Sequence, residues 1–192
     1  MTTLAVIGTA GGVGASTLAA LTFAGLRHRP GGAPSVHGDG PHGIAERIGD
    51  SEVPLVDAGS SIWDSGLTGP RAVVSVLERP GTIVVLIAPD TPIGRADAAA
   101  CVEGAVERFG PEVVSRISLV HMDVYRSGSR RRTDPPPANI AVVRIPHDRA
   151  LAEPGPIPAQ EALDQNTRAG VSAWLDLANR ALPQGQGASA PR

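Results

Sequence analysis

A glycine-rich stretch near the amino terminus, residues 8–17, has the composition of a phosphate-binding loop. It follows an apolar run at residues 4–7 and opens an alanine- and leucine-rich run that reaches Leu26. A short buried strand, a glycine turn and a helix start together direct backbone N–H groups toward one point, where an anion can accept them. Glycines permit this close approach because they carry no Cβ. The candidate phosphate-binding residues are Gly11, Gly12, Val13, Gly14, Ala15, Ser16 and Thr17.

The lysine that such a loop needs for catalysis is missing. The common pattern ends Gly-Lys-Ser/Thr, and here Gly14 is followed by Ala15. That lysine places a positive charge on the β- and γ-phosphates of a nucleotide. The chain contains no lysine at all, so its 17 basic residues are all arginines. A coding bias toward arginine would place arginine at this position rather than alanine. The pattern therefore predicts a phosphate-loop fold that has lost efficient hydrolysis.

Residues 10–17, Ala-Gly-Gly-Val-Gly-Ala-Ser-Thr, resemble the deviant Walker A loop Lys-Gly-Gly-Val-Gly-Lys-Thr-Thr of the MinD/ParA family of P-loop ATPases. Ala10 stands where the family has its signature lysine, which reaches the nucleotide of a partner subunit. The resemblance implies a SIMIBI-like P-loop NTPase fold, a three-layer α/β/α arrangement with a mostly parallel central sheet. It also implies ATP or ADP with Mg²⁺ as cofactor, weakened or absent here, and Ser16 as a contact of the ion.

Two aspartates match further motifs of this family. Asp39, after a weak strand at 35–39, matches the aspartate that positions the attacking water, and would be catalytic if the protein is active. A turn residue beside glycine is the ordinary alternative. Residues 53–57 are predicted to be a strand ending in Asp57, which matches the Walker B aspartate and would hold magnesium with Ser16. The short interval between the two aspartates implies a fold truncated between the second and third core strands.

A second match lies more than a hundred residues along the chain. The apolar run 139–145 predicts a strand, and Pro146-His-Asp148 after it resembles the end of the family's last core strand. In the family this segment precedes the loop that packs on adenine, so Pro146 and Asp148 are candidate nucleotide-binding residues. His121 and Asp123 stand near the position where family members place an adenine-contacting asparagine.

Length and composition favour one domain with an aliphatic core. The chain has 192 residues, of which 42% are hydrophobic and only 3% aromatic, which suits parallel strands buried on both faces. Strands are predicted at 82–88 and 115–122, helices at 92–109 and 166–182, and a loop at 63–66. We expect a single domain over residues 1–183 and a flexible tail over 184–192.

Charge and cysteine content limit the partners. A net charge of −2 gives no general attraction to nucleic acid or to an anionic membrane. One cysteine, Cys101, fits a reducing compartment, and no apolar run approaches the ~20 residues of a membrane span. We expect a cytoplasmic protein with an unidentified protein partner, and a homodimer stays open.

The sequence thus favours a degenerate MinD/ParA-like protein that binds nucleotide weakly, does not hydrolyse it efficiently, and acts as a localisation, assembly or regulatory factor. One alternative is an active ATPase in which Arg95, Arg126 or Arg144 replaces lysine. Another is an adaptor for a partner or nucleic acid through the basic run Arg130-Arg131-Arg132, which is otherwise a solvated loop.

Overall fold

A computed structural model describes residues 1–29, 32–38, 44–49, 59–124 and 140–182, and one six-stranded sheet runs through them. The strands, in chain order, are β1 (Thr2–Gly8), β2 (Ser35–Gly38), β3 (Ser60–Thr68), β4 (Thr82–Pro89), β5 (Ile117–Met122) and β6 (Ala141–Ile145). They lie in the order β2-β3-β1-β4-β5-β6, and every neighbouring pair is parallel. The predicted parallel sheet is therefore confirmed, with β1 near its centre.

Helices cover both faces of this sheet. They are α1 (Ala15–Leu26), α2 (Ile44–Ile48), α3 (Gly69–Leu77), α4 (Pro92–Phe109), α5 (Arg149–Ala152) and α6 (Gln165–Ala181). Because successive strand residues point to opposite faces, Leu4 and Val6 of β1 join the core beneath α1 and α6, whereas Ala5 and Ile7 join the core beneath α3 and α4. The predicted three-layer α/β/α arrangement is confirmed.

The loop predicted at residues 63–66 is wrong, because these residues belong to β3. Residues 60–64 pair in parallel with residues 2–6 of β1, and the Oγ1 of Thr3 lies 2.9 Å from the Oγ of Ser61. The Trp63 ring is 8% exposed, and the Arg79 guanidinium lies 4.3 Å from its centroid. Pairing between two neighbouring strands outweighs the polar, glycine-containing composition of this segment. The strand predicted at 53–57 lies outside the described residues, and between β2 and β3 these contain only α2.

The carboxy-terminal helix packs on the sheet, as predicted. Trp174 of α6 is fully buried, and its Nε1 donates a hydrogen bond of 2.8 Å to the Oγ1 of Thr22 in α1. That hydroxyl donates in turn to the carbonyl oxygen of Leu18, at 2.6 Å. Cys101 lies in the other core, where burial raises the pKa of its thiol to about 11. No helix in the described part of the chain has the length and apolar character needed to cross a bilayer.

The close approach of α6 to β6 predicts opposite effects of alanine at two helical glycines. A Cβ at Gly170 would lie 2.3 Å from the carbonyl oxygen of Arg144, whereas a Cβ at Gly104 in α4 would meet only Pro70, at 3.7 Å. Gly170→Ala should lower the free energy of unfolding by about 1–3 kcal/mol, because backbone must move. Gly104→Ala, the matched control, should raise it by about 0.5–1 kcal/mol. Urea denaturation measures both, and equal effects would contradict this account of the packing.

Candidate functional site

The glycine loop joins β1 to α1, so the predicted strand, loop and helix are confirmed. The backbone is left-handed at Gly12, with φ 73°, and at Gly14, with φ 94°. Residues with a Cβ are strained in this region, so glycine is required at both positions. The amide of Thr9 donates to the carbonyl oxygen of Ile87 at 2.8 Å, which ties the start of the loop to β4.

The amino-terminal end of α1 has no cap from a side chain. Gly14 occupies the cap position, the first turn contains no acidic residue, and the first amide bonded within the helix is that of Leu18, to Gly14. The amides before it have no partner within the helix. They lie beside a cavity of about 410 Å³, which we call the loop cavity. Its wall consists of Gly8, residues 10–17, Asp64, Gly66, Leu67 and Thr68.

A buried carboxylate lies next to the first turn of α1. The Oγ of Ser16 donates to Oδ2 of Asp64 at 2.5 Å, and Oδ1 of Asp64 accepts from the amide of Gly66 at 3.3 Å. Asp64 is 4% exposed and extends from β3, the strand beside β1. Asp64 thus places a buried carboxylate beside the first turn of α1, whereas Asp57 and Asp39 lie outside the described residues.

The Ser16 and Asp64 oxygens suit a hard cation such as Mg²⁺, which keeps several waters and takes few protein ligands. The described residues hold no group of three or more metal-binding side chains. Phosphate oxygens and water would therefore have to complete the coordination of an ion at this place. Ser16 is a candidate direct contact, and Asp64 a candidate partner of the water shell.

Sequence reasoning missed Asp64, although two signals pointed to it. Pro54 lies within the predicted strand at 53–57, and proline disfavours a central strand. The apolar pair Ile62-Trp63 precedes Asp64, and a glycine follows two residues later, which also fits a strand ending in an acid. This second segment contains fewer aliphatic residues than the other strands, so the strand that carries Asp64 was not predicted.

The wall of the loop cavity contains no cation among the described residues. Ala10 and Ala15 contribute only methyl groups where lysines would extend. Of the arginines predicted to replace lysine, Arg95 and Arg144 both pair with Asp90, at 3.0 and 3.2 Å, and neither lines the cavity. Arg126 and the run Arg130–Arg132 lie outside the described residues.

A second cavity, of about 320 Å³, lies on the other side of the loop and shares Gly12, Gly14 and Thr17 with the first. We call it the side cavity. Its wall includes Pro146 and Asp148, so the structure brings both predicted residues to the glycine loop. Val13 is buried, and it lines the loop cavity but not the side cavity.

The Asp148 side chain holds two backbone segments near the side cavity through hydrogen bonds. Its Oδ1 accepts from the amide of Ala150 at 2.9 Å and its Oδ2 from the amide of Asp164 at 2.8 Å. It therefore caps α5 and fixes the turn before α6. Asp123, which follows β5, also lines this wall. His121 does not line it and is buried on the opposite face of the sheet, near Asp90.

Arg47 is the second functional candidate that sequence reasoning missed. It extends from α2, is 9% exposed, and lines the side cavity. Its guanidinium donates to the carbonyl oxygens of Leu151, Glu153 and Gly155 and to the Oγ1 of Thr17, at 3.1 Å. Burial lowers the pKa of this side chain. Nothing near Arg47 in sequence signals these contacts, because three of the four partners lie more than a hundred residues away.

A larger cleft of about 700 Å³ is lined by residues of α1, α2, α6 and the segment 156–161. Most of its wall is aliphatic or proline, and it contains no residue of the glycine loop. Arg27 and Arg47 also line this cleft, but only the two smaller cavities adjoin the unbonded amides at the start of α1, which favour an anion.

No model of a known protein family matches the chain, and no curated protein is similar to it.

The burial of His121 predicts a pH-dependent loss of stability. Burial is the main cause that lowers the pKa of this imidazole, with Arg144 and Arg95 also lowering it and Asp90 and the Pro89 carbonyl opposing them. Below the ordinary histidine pKa the unfolded chain takes up a proton that the folded chain does not, so stability falls with acid. Between about pH 8 and pH 5, His121→Gln should lose less unfolding free energy than wild type. Urea denaturation at each pH measures the unfolding free energies. Equal losses for wild type and His121→Gln over this pH range would contradict the expectation.

Proposed function

We propose that this chain is a degenerate P-loop protein of the MinD/ParA type, which binds a nucleotide weakly and does not hydrolyse it efficiently. It acts through a protein partner as a localisation, assembly or regulatory factor. One observation carries the proposal. The uncapped start of α1 opens into a cavity that contains the Ser16–Asp64 pair and, among the described residues, no cation.

Backbone geometry supports the binding part of the proposal. Amides at the start of a helix, with the helix dipole behind them, favour an anion without any charged side chain. The loop cavity would take phosphates, with Ser16 and Asp64 beside them. Magnesium, when bound, supplies positive charge against the phosphate oxygens.

The two cavities together suit a nucleotide better than a lone phosphate. They meet at Gly12, Gly14 and Thr17, and their volumes of about 410 and 320 Å³ lie in the usual range for small-molecule sites. The side cavity would take the ribose and base, whose polar groups would face the wall that contains Asp123.

Loss of hydrolysis follows from the missing charge. Phosphoryl transfer depends mainly on cations that stabilise the transferring phosphate, and Ala10 and Ala15 supply none. Arg95 and Arg144 are engaged by Asp90, which argues against the alternative of an arginine-dependent ATPase. Loss of one charge-assisted contact, about 1.5–3 kcal/mol, weakens binding roughly tenfold to hundredfold.

Two exposed apolar side chains support a protein partner at this edge of the sheet. Leu67, near the end of β3, is 47% exposed and lines the loop cavity, and Ile93, at the start of α4, is 75% exposed. β3 and β4 flank β1, so these side chains stand on either side of the strand that carries the loop. A partner that covers them would lie over the nucleotide. Cytoplasmic localisation stays a prediction.

Restoring a lysine tests the binding proposal. Ala15→Lys should tighten ATP binding by about tenfold to hundredfold, because it returns a cation to the phosphates. Isothermal titration with ATP and ADP, with and without Mg²⁺, gives the affinities. Ala24→Lys is the matched control, since it adds the same charge at an exposed position of α1 away from the loop. Equal gains in both variants, or no nucleotide binding in either variant or in wild type, would contradict the proposal.

Hydrolysis needs its own measurement. Purified wild-type protein should release phosphate from ATP at the background rate, with Mg²⁺ present and nucleotide in excess. Turnover that is above background and disappears in Asp64→Asn would establish an active ATPase and refute the degenerate assignment.

A further inference from the structure

We propose that Arg47 and Thr17 make this site a receptor for the first phosphate of a nucleotide, so that a nucleoside monophosphate binds almost as tightly as a triphosphate. This inference rests on the proposed nucleotide binding and specifies its ligand class. Its basis is a buried cation on one side of the loop and a buried carboxylate on the other.

Arg47 forms no ion pair among the described residues, although the neighbouring Glu46 carboxylate acts on its charge. Its four hydrogen bonds go to three backbone carbonyl oxygens and one hydroxyl, and its Nε has no partner there. No carboxylate lies within ion-pair distance in that part of the chain. A cation that is 9% exposed is costly unless an opposite charge compensates it. An anion at the junction of the two cavities, beside Thr17, would compensate it.

The acidic residues in the same wall are already engaged. Both carboxylate oxygens of Asp148 accept backbone amides. The carboxylate of Glu153 pairs with Arg149 at 3.2 Å, and Asp123 has an interaction of its own. These three acids form no ion pair with Arg47, and the Glu46 carboxylate raises the pKa of Arg47 less than burial lowers it. The charge of Arg47 is therefore left to act on a ligand.

Thr17 connects this charge to the loop. Its Oγ1 accepts from Arg47, so the hydroxyl proton can be donated elsewhere. A bond accepted from a cation makes the hydroxyl a stronger donor. Thr17 also belongs to the first turn of α1, where its amide has no partner within the helix, and it lines both cavities. A phosphate at their junction would receive both donors.

The loop cavity offers much less to further phosphates. Its wall contains the Asp64 carboxylate and, in the described residues, no cation. A second or third phosphate would meet a like charge there unless Mg²⁺ lies between them. Affinity should therefore depend on the first phosphate, and on the others only when the ion is present.

Titrations of wild-type protein without Mg²⁺ provide the first test. The ligands are adenosine, AMP, ADP and ATP, together with the guanine series, because the base is not specified. AMP or GMP should bind about tenfold tighter than its nucleoside, as one charge-assisted contact implies. The triphosphate should bind within about threefold of the monophosphate.

Variants then separate a phosphate contact from a structural role. Arg47→Gln should weaken monophosphate binding about tenfold and leave nucleoside binding unchanged. In a Thr17→Val background, Arg47→Gln should change the affinity for the monophosphate by less than about twofold, since the hydroxyl that connects Arg47 to the ligand is gone. Arg71→Gln, which removes an exposed charge from α3 on the other face of the sheet, is the matched control and should change neither affinity. If Arg47→Gln does not fold, Thr17→Val and Thr17→Ser make the comparison with Arg47 intact, and only Ser should retain the phosphate gain.

The outcomes distinguish this inference from the proposed function. If no nucleoside or nucleotide binds under any condition, the nucleotide-binding proposal itself fails. If nucleotides bind but the triphosphate is tenfold or more tighter than the monophosphate without Mg²⁺, only the present inference fails. It fails equally if Arg47→Gln weakens nucleoside and monophosphate binding to the same extent.

Discussion

The arrangement of the site depends on where β1 stops. This strand pairs on one side with β3 and on the other with β4, so its last residue is fixed by two ladders of backbone hydrogen bonds. The chain must then reverse direction into α1. One face of this helix packs in the core through Leu18 and Phe23. These two constraints leave a short loop that is left-handed at two glycines, and they point the amides at the start of α1 away from the core. Shape at this site follows from the fold alone.

Charge at the site is independent of that shape. Residues 10 and 15 are alanines, and the turn and the helix start form without a charged side chain at either position. Among the described residues, the Asp64 carboxylate is the charged side chain in the wall of the loop cavity. A loop of this kind can keep the geometry of a phosphate site while it loses the electrostatics of phosphoryl transfer. For this reason the fold is a poor guide to catalysis here.

Sequence reasoning succeeded where one local pattern decides the structure. The aliphatic run of β4 and the helical spacing of Ala98, Cys101, Val102 and Ala105 in α4 need no distant information. β3 was missed because its polar residues are stabilised by β1 and β2 rather than by their own propensity. Arg47 was missed because its contacts, to Thr17 and to residues 151–155, join segments that are remote in sequence. Pro146 and Asp148 were predicted from a motif. The structure places both in the wall of the side cavity and gives Asp148 a capping role that the motif did not indicate.

The positions of Asp64 and Arg47 have a common consequence. Each is a buried charge beside the first turn of α1, one contacting Ser16 and the other Thr17, with opposite signs on the two sides of the loop. An anion that enters between them is drawn toward Arg47 and held away from Asp64, unless a divalent cation screens the carboxylate. The helix dipole adds to the attraction but does not distinguish the two sides. Position along the loop, rather than total charge, therefore decides which part of a ligand this site can recognise.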